Sequence, residues 1–107
     1  MAPEGGVLCE VVTPVGFRVR VTKERWELIT KFKHPVMFGR DERVRLALAD
    51  PEEVRQSRRD PTVLLFYKAE APKRWICAVV KQTNTEAFLV TAYPTGSVKE
   101  GTRIWPK

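Results

Sequence analysis

The chain has 107 residues, 43% of them hydrophobic, and a net charge of +6 from 19 Lys plus Arg against 13 Asp plus Glu. That length suits a single domain over 1–107, with 1–6 expected to be disordered. Its longest apolar run, Trp75 to Val80, excludes a membrane helix of ~18–20 residues, and the start lacks a basic-then-apolar leader. The expectation is a cytoplasmic protein that does not enter a membrane.

In chain order, Val7 to Val21 reads as a hairpin turning at Pro14-Val15-Gly16. Its second arm, Phe17-Arg18-Val19-Arg20-Val21, alternates apolar and basic residues, as a half-buried strand does. Thr22 is a credible N-cap for a helix over Lys23–Lys33, with Glu24 at the positive end of its dipole. His34-Pro35 ends that helix, because proline pushes the preceding residue out of the α region. A second helix is predicted over Asp41–Ala49, with Val44 and Leu48 on one stripe. Asp50-Pro51-Glu52-Glu53 then resembles a capped start for a short third helix ending near Ser57.

From Thr62 the period changes to that of strands. Val63–Tyr67, Trp75–Gln82 and Glu86–Tyr93 are rich in β-branched and aromatic residues and are separated by short turns. Short connections make neighbouring strands antiparallel. The predicted fold is therefore α+β: an N-terminal hairpin, two to three helices, then a curved antiparallel sheet. Trp26, Phe32, Phe66, Phe88 and Trp105 are expected in the core.

A pI near 9.7 exceeds the ~9 at which a polyanionic partner becomes worth considering. The plainer account is a merely basic surface. Cys9 and Cys77 lack CxxC spacing and read as reduced, buried thiols. One histidine and two distant cysteines give no zinc-ligand spacing, and no P-loop, GxGxxG or GxSxG is present, so no cofactor or metal is expected.

Several side chains could carry chemistry. His34 is the only one whose ordinary pKa lies near neutrality, and it suits acid–base catalysis or simple capping of a helix end. Thr91 and Tyr93, two apart on a strand, share a face. They could orient a phosphate or form a polar outer surface. Lys81 joins them if the turn before the last of these strands is the three-residue Thr83–Thr85, which sets Lys81 opposite Ala87. A two-residue turn sets it opposite Phe88 and on the other face. The odd turn is the expectation. Arg58 and Arg59 offer forks for phosphate, Lys99 a mobile ammonium, and Tyr67 or Trp75 a surface for base stacking.

With these residues in view, the chain resembles the phage-type nuclease branch of the barnase–EndoU–colicin–RelE fold. The likeness runs in order over 16–105. It takes in Gly16-Phe17-Arg18-Val19, Trp26…Ile29…His34-Pro35, Leu48-Ala49-Asp50-Pro51, Phe66-Tyr67-Lys68, Val79-Val80-Lys81, Phe88–Thr95 and Lys99-Glu100-Gly101…Ile104-Trp105. The resemblance implies a metal-independent endoribonuclease in which the 2′-hydroxyl attacks the adjacent phosphate. It implies catalysis by His34, Lys81, Thr91 and Tyr93, with Arg58 and Lys99 adding positive charge for RNA; Arg59 and Tyr67 are RNA-binding candidates from their side chains alone. It also implies a toxin or phage-derived effector, with a small acidic antitoxin or immunity protein as partner. The chain lacks the strand-borne glutamate that serves as base in barnase, since Glu86 falls at a turn. A non-catalytic RNA-binding module, or a toxin-like domain acting through a protein partner, are the alternatives.

Overall fold

The alternation of Arg18–Thr22 is realised as a strand in which Val19 and Val21 point inward and Arg18 and Arg20 outward. A computed structural model describes residues 6–106. The order is β1 (Val7–Val12), β2 (Arg18–Thr22), α1 (Lys23–Leu28), a π-helical segment (Ile29–Lys33), a 3₁₀ turn (Pro35–Met37) and α2 (Asp41–Ala49). Five strands follow: β3 (Glu53–Gln56), β4 (Val63–Ala71), β5 (Arg74–Gln82), β6 (Ala87–Thr95) and β7 (Thr102–Trp105). The fold is α+β. The expected disorder of 1–5 lies outside the described residues, whereas the Gly6 carbonyl accepts a bond from the Lys23 amide.

All strands belong to one seven-stranded sheet, ordered β1-β2-β6-β5-β4-β3-β7. It is mixed rather than antiparallel: β2 meets β6 in parallel, through the single pair Arg20 and Phe88. The long connection between them, through both helices and then β3, β4 and β5, lets the chain return in the same direction, as a parallel pair requires.

Thr22 caps α1, its hydroxyl accepting from the Arg25 amide at 3.1 Å. The helix then widens, and the His34 amide reaches back to the Ile29 carbonyl at 2.7 Å, the five-residue span of a π turn. Pro35 prevents its continuation. In α2, Val44, Ala47 and Leu48 are buried along one stripe.

The predicted third helix is instead strand β3. Its residues pair with β4 from Glu53↔Tyr67 to Gln56↔Leu64 and with β7 on the other side. Val54, fully buried, sits in the core. Two ladders of backbone bonds outweigh a local capping signal worth ~1 kcal/mol. Glycine has a specific use at the edge of this strand. Gly101 takes φ +78°, and a Cβ there would stand 2.5 Å from the Gln56 carbonyl oxygen.

The main core lies on the helix-covered face, where Phe66, Ile76, Ala78, Val80, Leu89 and Ala92 meet Ile29, Met37, Val44 and Leu48. Trp26 and Trp105 are only partly buried against it, and Phe32, expected inside, is 75% exposed. Cys77 is buried, whereas Cys9 is only half-buried, and both are free thiols. No helix among the described residues is long and apolar enough to cross a membrane.

Candidate active site

The opposite face of the sheet carries the residues able to do chemistry, arranged in rows by strand register. One row runs Glu53–Tyr67–Cys77–Tyr93 across β3, β4, β5 and β6. The next runs Arg103–Arg55–Leu65–Val79–Thr91. A third runs Val63–Lys81–Phe88–Arg20–Glu10. Val98, from the segment before β7, packs on the first of these rows with Trp75 and Val79.

The β5–β6 turn differs from the expected three-residue turn. Gln82 pairs with Ala87, the Thr83 amide bonds the Glu86 carbonyl at 2.7 Å, and Lys81 stands opposite Phe88, not Ala87. Yet Lys81 still lies on the Thr91/Tyr93 face. A β-bulge supplies the odd residue: Val80 pairs with Leu89 but Val79 with Thr91, leaving Val90 without a partner on β5. The face of a side chain depends on every residue between it and the turn, not on the turn alone.

His34 reaches this face from the end of the π segment. Its ring lies 5.4 Å from the Tyr93 ring, tilted by 43°. Four strand residues separate Lys81 from the Tyr93 row, ~13 Å at the rise of a β-strand. Lys81 therefore belongs to a neighbouring subsite. There its ammonium donates to the Asp60 carboxylate at 2.9 Å. Hydrogen bonds from the Thr62 hydroxyl, then from Lys81, then from the Thr62 amide hold the Asp60 carboxyl down at about 2.

Tyr93 and Tyr67 both face the Cys77 thiol. Burial raises each phenol above its ordinary value, and the adjacent Cys77 adds to the effect. Burial likewise pushes the Cys77 thiol up to about 12, against the opposing hydrogen bonds of the two tyrosines. Both phenols are thus protonated at neutral pH and act as donors. The thiol is no nucleophile at that pH. Tyr67, expected as a stacking surface, is 2% exposed and cannot take a base. The Thr91 hydroxyl is buried and has no hydrogen-bond partner among the described residues.

Arg58, Arg59 and Lys99 are exposed. Arg58 approaches the Thr102 hydroxyl at 3.4 Å, and Arg55, paired with Glu53 at 2.7 Å, donates to the Gly101 carbonyl. With Arg103 opposite Arg55, the β3–β7 side of this face is basic. Sequence reasoning missed three participants. Cys77 joins the two tyrosines, Glu53 is a strand-borne carboxylate opposite Tyr67, and Glu100 lies close enough to raise Tyr67, Cys77 and Tyr93. Strand alternation in β5 could have found Cys77, whereas Glu53 lies in the segment that reads as a helix start. Glu100 sits on an irregular loop that no period describes.

Among the described residues, no three His, Cys, Asp or Glu side chains are grouped so as to hold a metal ion. Comparison with protein-family models, curated proteins and solved structures finds no match.

Proposed function

We propose that the protein is a small endoribonuclease that cleaves RNA by attack of the 2′-hydroxyl on the adjacent phosphate. The observation that carries this reading is the meeting of His34 and Tyr93, 59 residues apart in the chain, with ring centroids 5.4 Å apart on the open face of the sheet. The net charge of +6 and the basic β3–β7 side fit a polyanionic substrate. The ordered resemblance to the barnase–EndoU–colicin–RelE fold supports the same chemistry.

In this reaction the His34 imidazole takes the 2′-hydroxyl proton, the 2′-oxygen bonds to phosphorus, and the bond from phosphorus to the 5′-oxygen breaks. Tyr93, a phenol protonated at neutral pH, gives the leaving oxygen a proton; His34 then releases its proton to solvent and Tyr93 regains one from it. The products are a 2′,3′-cyclic phosphate and a free 5′-hydroxyl. Lys81, Arg58, Arg59 and Lys99 attract the flanking phosphates. Thr91 lies on the same face as Tyr93, but its enclosed hydroxyl does not reach a substrate in this arrangement. A toxin or phage-effector setting with a small acidic inhibitor follows from the same resemblance, and cytoplasmic RNA would be the target.

The test is cleavage of mixed RNA in the presence of EDTA. Parent protein should release cyclic-phosphate ends. His34→Ala should lower the rate ~10²–10⁴-fold, the range for a lost acid–base group. Intact RNA, or a His34→Ala variant as active as the parent, sinks the enzyme reading. A second reading, binding without cleavage, draws on the engagement of the Tyr93 hydroxyl with Cys77 and of Lys81 with Asp60. It is favoured if RNA affinity falls steeply with salt while no product forms.

A further inference from the structure

α1 and the π segment, which leads into His34, stand over β2 and β6 and border an open groove of about 600 Å³. This lies within the ~300–1,000 Å³ typical of small-molecule sites. Leu28 and Phe32, four apart on one side of the helical segment, form its apolar wall, and Phe88 forms its floor. Phe32 is 75% exposed and Leu28 38% exposed, so the wall costs apolar surface that no part of the described chain covers. The π turn that ends at His34 carries Phe32, and such turns occur often at functional sites.

Charge narrows the choice of occupant. Arg25 and Lys31 line the groove and make no ion pair among the described residues, while Arg20 is held by Glu10 and Glu86. Glu24, Glu27 and Glu86 also line it, so its walls nearly balance and a phosphate alone gains little there. An apolar aromatic slot with balanced polar edges suits a flat heterocycle instead. The groove is also continuous with the candidate active face, because its floor residue Phe88 is the cross-strand partner of Lys81.

We infer that this groove is a nucleobase subsite: it stacks one unpaired base of single-stranded RNA on Phe32 and Phe88 while the adjoining backbone passes over Lys81 toward Tyr93. The inference rests on RNA being the ligand of the neighbouring face, but not on that face being catalytic. A base in a duplex is stacked already and cannot enter, so the site selects single strands.

The experiment uses a fluorescent single-stranded deoxyoligonucleotide, which has no 2′-hydroxyl and so stays uncut, with a duplex of the same sequence as control. Phe32→Ala changes an exposed side chain, and Phe32→Tyr keeps the ring. Phe32→Ala should weaken single-strand binding roughly five- to a hundred-fold, the loss of one base–aromatic stack, with the salt slope unchanged. Phe32→Tyr should bind as the parent does, and duplex binding should ignore both changes. Equal single-strand binding by parent and Phe32→Ala overturns the inference. So does a Phe32→Ala effect on self-association in sedimentation without one on binding, which would assign the groove to a second copy of the chain. RNA cleavage is read separately. A parent that stacks through Phe32 but cuts nothing keeps the groove and loses the catalytic reading, and a parent that cuts with Phe32 irrelevant does the reverse.

Discussion

The two faces of the sheet are made from alternating residues of the same strands, yet they are built on different terms. On the helix-covered face Phe66, Ile76, Val80 and Leu89 are at most 1% exposed and pack into one apolar cluster. On the other face the intervening residues are Tyr67, Cys77, Tyr93, Thr91 and Lys81, which carry polar atoms into a half-covered surface. Packing holds the first face and exacts a cost on the second, since polar groups out of water must find partners. A strand can do both because its period is two.

The largest expected difference between the faces is in stability. Phe66→Ala leaves a cavity in the apolar core and should cost ~3–5 kcal/mol, enough to unfold much of a marginal domain. Tyr93→Phe removes only a hydroxyl facing Cys77 and should cost ~1 kcal/mol, while lowering RNA cleavage. Denaturant melts of the two variants measure the contrast. Equal losses would mean that the open face is core as well.

Gly101→Ala should come next. Its φ of +78° costs an L residue ~1–2 kcal/mol, and the new methyl group would collide with the Gln56 carbonyl on backbone that cannot step aside. Separation of β7 from β3 would unseat the segment bearing Val98, Lys99 and Glu100 from the tyrosine row. The expected signature is a lower melting temperature together with weaker RNA binding. A loss of stability alone would detach that segment from the site.

A smaller effect concerns Asp60, which neutralises Lys81. Its folded carboxyl titrates at about 2 against an ordinary 3.8, so its contribution is present above about pH 4 and is lost as pH falls toward about 2. Asp60→Asn should flatten the acid limb of stability over that window. It should also free the Lys81 ammonium, tightening RNA binding at low salt. An unchanged acid limb would show that Asp60 titrates alike in the folded and unfolded chain and contributes no pH-dependent stability.

The comparison of faces also explains what the sequence could tell. Helix α2 and the strand character of β4, β5 and β6 follow from local periodicity; α2, β5 and β6 fold close to their expected spans, whereas β4 runs on past Tyr67 to Ala71. β3 was hidden because Asp50-Pro51-Glu52-Glu53 imitates a helix start, while its actual state depends on Tyr67 and Trp105, distant partners. The parallel contact of Arg20 with Phe88 has no local trace. The meeting of His34 with Tyr93 needed the helical segment to turn back on the sheet. The face of Lys81 needed the bulge at Val90, and no residue there is a glycine that would have announced one.

Thr91 offers the finest test of the difference, because it sits on the open face yet its hydroxyl is shut in. Buried without a partner, that oxygen destabilises the fold by roughly its desolvation cost, ~1–3 kcal/mol. Thr91→Val keeps the branched shape and the strand preference while removing the polar atom. If the hydroxyl has no task, the variant should gain about 1 kcal/mol in a denaturant melt, with RNA binding and cleavage unchanged. If the open face retains it for function, stability should still rise while cleavage falls, and Thr91→Ser should restore cleavage. A loss of stability on Thr91→Val would mean that the hydroxyl is hydrogen-bonded in solution, and this position would then follow the same terms as Tyr93.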